Sequence, residues 1–403
     1  METSKSVTRA LRPTAIQRVR RFLGVVSPLA WTMFFVALIF FAVGRLYRWE
    51  ELTVVSATVF IALLVSLAFT FGRSELAVEV EVKPQRVRAG QRSAALLTVT
   101  NPMAGRMLPV RMELTVGDGI AQFGVPSLAG QATHEEVFVL PTLRRAVLPV
   151  GPATSVRSDP LGLLRRVQTW TEPVPLFVHP ATVSLASLGT GLMRDLEGQA
   201  TDQVSQADIA FHTMREYETG DDRRFIHWLT TARAGKLMVR QFIDTRRSHV
   251  AVLVDGSASS YADPEEFETA VSAAASLGVR VILDEQDISM VVAGERIPTG
   301  SGNAMLDSLC TVETRSGRNS LGAEVEQLFR FATGLSVAIM ITGSQVSIPQ
   351  LRATTVRFPS DVRVLGMRVD HSATTGLQPI GSHRLLTLSH LEDLPQLLWA
   401  ALS

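Results

Sequence analysis

Residues Val250-Ala-Val-Leu-Val-Asp-Gly-Ser-Ala-Ser259 decide how the C-terminal part of this chain folds. An unbroken, β-branched apolar run this short reads as a strand buried on both faces, the kind found in parallel sheets covered by helices. The run ends in Asp-x-Ser-x-Ser, and a helix start follows. Asp263 suits an N-cap, Pro264 the first turn, and Glu265 and Glu266 the positive end of the helix dipole. Downstream the pattern alternates, with strands expected over 249–254, 288–293, 337–341 and 362–369. Helices are expected over 264–283, 303–312, 321–333 and 391–402. Residues 248–403 therefore read as a Rossmann-like α/β domain on a parallel sheet.

Ligands of open α/β sheets bind beyond the carboxyl ends of the strands, where Asp255, Ser257 and Ser259 fall. One carboxylate and two hydroxyls at this spacing can point three oxygens at a hard cation such as Mg²⁺. The loop resembles the first loop of the metal-ion-dependent adhesion site of von Willebrand factor A domains. That site also takes a Thr from a second loop and an Asp from a third. Here the third position reads Ile341-Thr-Gly-Ser344, with Gly343 in the place of the acid, and the second loop offers Ser320. The competing reading is structural: Asp255 and the serines tie down the loop and lead into the helix. A nucleophilic serine lacks the Gly-x-Ser-x-Gly elbow, and His371, His383 and His390 fall in what reads as a loop-rich tail.

Upstream, Met214 to Phe242 concentrates acids and arginines in a chain that is 19% charged. Gly220, Asp221 and Asp222 read as a turn and N-cap opening a short helix whose buried side is Ile226, Trp228, Leu229 and Ala232. Gly235 stops that helix, and residues 236–242 alternate into a strand. Arg215, Glu216, Asp221, Asp222, Arg223, Arg224, Arg233, Lys236 and Arg240, interleaved with Tyr217 and Trp228, admit three readings. They form a solvated face, a polar network bracing two packed units, or a binding surface. Arginine forks pair two-point with carboxylates and suit the network. Adjacent aspartates converge poorly on one ion, and the arginines oppose the raised acid pKa that paired-carboxylate hydrolysis needs.

Between 73 and 185 the period changes to two. Strands are expected over 76–82, 94–100, 110–116, 135–140, 145–150 and 175–179, with turns at 88–90, 101–102, 117–119 and 128–130. Short strands at this spacing suggest an all-β, immunoglobulin-like sandwich. His134 and His179 read as surface or turn residues, and Ser158-Asp-Pro-Leu-Gly-Leu-Leu-Arg-Arg166 as a defined turn entering a strand.

Two runs near the N-terminus carry no charge, Pro28 to Gly44 and Leu52 to Gly72. At 1.5 Å per residue the second covers about 30 Å, a bilayer core. They predict a transmembrane hairpin over 28–72, with spans at about 28–47 and 52–71. Lys5, Arg9, Arg12, Arg18, Arg20 and Arg21 precede the first span, only Arg45 and Arg48 lie in the connector, and Arg73, Lys83, Arg86, Arg88 and Arg92 follow the second. The positive-inside rule then puts a basic N-terminus (1–27) and everything beyond 73 in the cytoplasm, with 186–247 as a connector. A single cysteine, Cys310, agrees with a reducing compartment, and a formal charge of +1 gives no case for nucleic acid.

Arg215-Glu-Tyr-x-x-Gly-Asp-Asp-x-Arg-x-Ile-x-Trp228, followed by Ala232-Arg233, Gly235-Lys-Leu and Val239-Arg, resembles the signature of the domain of unknown function 58 (DUF58) family. Asn101-Pro102, Gly151-Pro152, Asp159-Pro-Leu-Gly162 and the two-span N-terminus are similar to that family's bacterial membrane members. The resemblance implies a multi-pass inner-membrane protein whose sandwich precedes a von Willebrand factor A-like domain. It also implies a MoxR-type AAA+ ATPase as partner, in assembling or remodelling other proteins, and no enzymatic activity. A metal-dependent hydrolase at the inner membrane face is the alternative expectation.

Overall fold

The structure is a computed structural model that describes residues 27–70, 75–159, 162–187, 209–218, 225–244, 248–316, 321–380 and 383–402. The chain divides into two compact units, Met1–Val178 and His179–Ser403.

The first unit opens with two helices long and apolar enough to cross a membrane, α1 (Pro28–Tyr47) and α2 (Glu50–Thr70). Ser27 caps α1 by accepting from the Ala30 amide at 3.2 Å, and Pro28 fills the first turn. Ser56 on α2 donates to the Ala37 carbonyl of α1 at 2.8 Å, pinning the hairpin. Leu38, Ile39, Ile61 and Leu64 face outward on these helices, which argues against a water-soluble core helix.

After the helices come β1 (Ala77–Lys83), β2 (Arg86–Arg88), β3 (Ala94–Thr100), β4 (Val110–Val116), β5 (Gly119–Val125), β6 (Thr133–Val139), β7 (Ala146–Ser158), β8 (Arg165–Thr169) and β9 (Val174–His179). They form a three-stranded sheet, β1-β3-β6, and a second sheet in the order β2-β9-β7-β4-β5, with β8 on β7. Alternation buries one face of each. Leu97 and Val99 from the first sheet share a core with Met112, Leu114 and Leu176 from the second. Strand β5 was not anticipated, because Gly119 and Gly124 dilute its pattern; its partner β4 supplies the burial.

The hairpin meets this two-sheet region at the β7–β8 turn. Leu163 and Leu164 pack on Ala30, with Met33 and Leu63 beside them. The Ser27 amide donates to the Leu163 carbonyl at 2.9 Å. Asp159, 3% exposed, accepts from the Leu164 amide at 2.6 Å and from the Ser66 hydroxyl of α2 at 3.0 Å.

The second unit begins with a two-stranded ribbon, β10 (Ile209–Glu216) and β11 (Met238–Asp244), bracketing helix α3 (Trp228–Ala234). Beyond it lie β12 (His249–Val254), α4 (Pro264–Leu283), β13 (Asp287–Val292), β14 (Glu295–Ile297), α5 (Gly302–Leu309), α6 (Leu321–Phe329), β15 (Val337–Thr342), α7 (Ile348–Thr355), β16 (Arg363–Val369), β17 (Gly376–Ile380), β18 (His383–Leu388) and α8 (Leu394–Leu402). Among the described residues the sheet runs β14-β13-β12-β15-β16-β18-β17. Its inner strands are parallel, and β14 and β17 close the edges antiparallel. Separate apolar clusters cover the two faces, one centred on α4, α5 and α8, the other on α6 and α7.

The structure departs from the sequence reading in this unit. The expected loop-rich tail is the β17–β18 hairpin: His383 starts β18, while His371 and His390 stack face to face outside it. Val183 and Leu185 pack into the α/β core instead of the two-sheet region. His179 is no surface residue; it is buried and bonds Asp307 at 2.8 Å.

Candidate functional site

Strand β12 delivers Asp255 to the carboxyl edge of the sheet, where its amide donates to the Ile341 carbonyl of β15 at 2.9 Å. The side chain is 2% exposed. Its Oδ1 accepts from the Ser257 amide at 2.9 Å. Its Oδ2 accepts from the Ser260 hydroxyl at 2.7 Å and the Thr342 hydroxyl at 3.0 Å. The Tyr261 hydroxyl donates to the Asp255 carbonyl at 2.5 Å. Ser257 and Ser259, the other two residues of the expected triad, lie with their Oγ atoms 2.9 Å apart.

The loop needs glycine where it turns away from the strand. A Cβ at Gly256 would stand 2.4 Å from the Cα of Ala293. The Gly256 amide donates to Oε1 of Glu324 on α6 at 2.8 Å, and the Arg315 amide donates to the Gly256 carbonyl at 2.7 Å. Glu324 is 3% exposed, and among the described residues its Oε2 has no hydrogen-bond partner. A third buried acid, Glu266 of α4, uses one oxygen to accept from the Ala262 amide and from the amide and hydroxyl of Ser344.

Burial displaces the acidity of two of these acids and of Tyr261. Burial raises Asp255, while the bonds from Ser257, Ser260 and Thr342 pull it back. Burial, and then the charge of Asp255, push Glu324 up to about 9; the Gly256 amide and Arg315 oppose this. Glu324 is accordingly protonated at neutral pH. Burial, followed by Asp255, Glu324 and Glu266, holds the Tyr261 phenol well above its usual range.

Of the two readings of this loop, the described residues fit the structural one better than the divalent cation. Both oxygens of Asp255 accept from internal donors, and the hydroxyls of Ser257 and Ser259 hydrogen-bond to each other. At Gly343 a Cβ would lie 2.3 Å from the Ser260 carbonyl oxygen, so an aspartate has no room there. Among the described residues no cluster of three or more His, Cys, Asp or Glu side chains has metal-holding geometry. Ser320 lies outside the described residues.

Beside the loop opens a cleft of about 450 Å³, lined by Ser257, Ser259, Gln345, Gln350, Thr354 and Arg357 among others. The Arg357 guanidinium is anchored at its edge by Glu326 at 2.7 Å and the Gly322 carbonyl at 3.2 Å. The cleft lies at the strand ends where the Asp255 loop was expected to bind, but its other wall, from Gln345 to Arg357, and Glu324 were not foreseen. Glu324 reads as one helix acid among many, and its partner Gly256 is remote in sequence.

The charged signature is ordered differently from expectation. Helix α3 starts at Trp228 with His227, not an aspartate, as N-cap. The His227 Nδ1 accepts from the Thr230 amide at 3.3 Å. Ile226 is bridged to Val239 instead of entering the helix. The expected buried side of α3 is exposed: Trp228 is 68% and Leu229 63% accessible, and Ala232 is exposed too. The helix lies against β11 through Thr231, whose hydroxyl accepts from the Met238 amide at 3.0 Å, and not through the expected stripe. Gly235 ends the helix with φ 68°. Glu216 and Lys236 pair at 3.4 Å across exposed surface. The Tyr217 amide joins the Leu237 carbonyl, and Arg233 sits in the last turn of α3. Arg215 and Arg240 lie on β10 and β11 next to each other's ladder partners. Gly220, Asp221, Asp222, Arg223 and Arg224 lie outside the described residues.

Residues 213–388 match the family model described as "Protein of unknown function DUF58". No curated protein matches the chain. Among solved structures, the CARDB domain of a Pyrococcus furiosus protein, in complex with di-metal ions, is 14% identical over 25% of this chain and 94% of that one, with a TM-score of 0.19. The sporulation control protein Spo0M of Bacillus subtilis is 12% identical over 36% of this chain and 59% of that one, with a TM-score of 0.17. Likenesses at this level carry no argument about fold or function.

Proposed function

We propose that this chain is a membrane-anchored adaptor and not an enzyme. Helices α1 and α2 span the inner (plasma) membrane of a bacterial cell, and both soluble regions face the cytoplasm, as the basic residues flanking the spans favour. In this reading the two-sheet region is immunoglobulin-like and the α/β unit von Willebrand factor A-like. The cleft beside Asp255 takes a segment of a protein partner, and that partner is a MoxR-type AAA+ ATPase with which the chain assembles or remodels other complexes.

The observation that carries the reading is how Asp255 is used. Three internal donors occupy its carboxylate, so it shapes the loop and offers no free reactive group. Next to it the cleft presents amides and hydroxyls that can both donate and accept, which suits a peptide backbone. A metal-dependent hydrolase is the weaker reading, because Gly343 stands in a slot too tight for the acid such a site would take from that loop.

The test is co-purification of the detergent-solubilised full chain with the ATPase, with and without nucleotide. Thr354→Arg, inside the cleft, weakens the association, and Leu143→Arg, 86% exposed on the other unit, leaves it intact. Absence of association in both nucleotide states overturns the partner assignment. Equal binding by the two variants overturns the cleft.

A further inference from the structure

The end of the two-sheet region that receives the helices is fixed by strand register. Strand β1 begins at Ala77, shortly after α2 ends at Thr70, and Ala77 pairs with Thr100 at the end of β3. Thr100 pairs in turn with Thr133 at the start of β6. In the other sheet the β7–β8 turn touches α1 and α2, and the residues leading into that turn pair with the start of β4, Arg111 opposite Val156. Val110 pairs with Val125 at the end of β5. The β3–β4 loop (101–109) and the β5–β6 loop (126–132) therefore share the end where Ser27, Leu163 and Ser66 join hairpin to sheet.

These two loops are stitched to each other. The Asn101 side-chain amide donates to the carbonyls of Gly105, Leu128 and Ala129, and its oxygen accepts from the Met103 amide. The Met107 amide donates to the Leu128 carbonyl at 2.8 Å, and Gly130 sits so close that a Cβ would lie 2.2 Å from the Ala104 carbonyl oxygen. Much of the backbone polarity is thus satisfied inside the loops, whereas Met103 is 44% and Leu108 74% exposed, with Arg106 exposed between them. Large apolar side chains on a braced loop, flanking a cation, suit the interfacial layer of a bilayer: the side chains enter the acyl boundary and the guanidinium meets lipid phosphate.

We infer that the 101–109 loop is a third membrane contact, with Met103 and Leu108 dipping into the leaflet next to the Ser27–Thr70 end of the hairpin and Arg106 on its headgroups. The inference rests on the membrane-anchored reading of α1 and α2. Its occupant is lipid, because any bilayer that holds those helices lies against this end of the sheets.

The experiment places one environment-sensitive nitrobenzoxadiazole probe at a time on Ile61→Cys, Met103→Cys, Leu108→Cys or Leu143→Cys in a Cys310→Ser background. The full chain is reconstituted into phosphatidylcholine–phosphatidylglycerol vesicles with and without doxyl-labelled lipid. Ile61 is exposed on α2, and Leu143 lies at the opposite end of the sheets, where the neighbouring Thr142 bonds Gln91. Blue-shifted, doxyl-quenched emission at 61, 103 and 108, with water-like emission at 143, is the expected result. Quenching at 61 alone overturns the loop contact and leaves the anchor standing. No quenching at 61 overturns the anchor and the loop contact with it. Quenching at 143 as well overturns the end-on arrangement.

Discussion

A Cβ on Gly343 would stand 2.3 Å from the carbonyl oxygen of Ser260, and 2.5 Å from the Tyr261 ring. The loop after β15 is thus pressed onto the loop after β12, and Thr342 can reach Asp255 because nothing protrudes from the next residue. Gly343→Ala should destabilise the α/β unit by about 1–3 kcal/mol through overpacking. Gly343→Asp should cost more, since it also adds a carboxylate beside Asp255 and Glu266. Thermal unfolding of the full chain in detergent measures both. If Gly343→Asp instead gained stability with added Mg²⁺, the argument from space would be wrong.

Glu324 makes stability depend on pH in a direction opposite to most acids. Its folded value is about 9, against an ordinary 4.5. Below 4.5 both states hold the proton, and the favourable term is fully present. As pH rises towards 9 the unfolded chain releases a proton that the folded chain keeps, so stability falls, and it levels off once Glu324 ionises in the folded state. Glu324→Gln keeps an acceptor for the Gly256 amide and should remove that downward slope. Comparing the unfolding midpoints of both proteins across this range tests it. Parallel curves would sink the assignment.

The start of α4 was legible because a local device sets it: Asp263 accepts from the Glu266 amide and Pro264 fills the first turn. Strand β12 was legible because burial on both faces leaves Val250–Val254 wholly apolar. Where the answer depends on a distant partner, local pattern is silent. Glu324 matters only because Gly256 folds onto it, and the β17–β18 hairpin finds its place by pairing with β16. The site was half legible for the same reason. Asp255, Ser257 and Ser259 announce themselves by spacing, whereas Ser260 and Thr342, which occupy the carboxylate, look like ordinary loop hydroxyls.

Asp159 should act as the latch between α2 and the β7–β8 turn. It is buried and accepts from the Leu164 amide and the Ser66 hydroxyl. Asp159→Ala orphans both donors and should cost about 2–3 kcal/mol, whereas Ser66→Ala removes one hydrogen bond and should cost about 1 kcal/mol. Because the two residues touch, the double variant should lose less than the sum. Additive losses in a thermal-unfolding cycle would mean the Ser66–Asp159 bond contributes nothing.

Trp228 separates the sequence reading of the charged signature from the observed one. As part of a buried helix face its truncation would cost about 3–5 kcal/mol, the usual loss for a core aromatic. With 68% of the residue exposed and no buried residue anywhere on α3, Trp228→Ala should shift stability by no more than about 0.5 kcal/mol. The variant should also lose a water-like component of the tryptophan emission, because the indole removed is solvated. A blue emission component lost together with a large drop in stability would restore the buried face. A silent stability change paired with weaker ATPase capture would instead make the exposed Trp228–Leu229 pair part of the surface a partner reads.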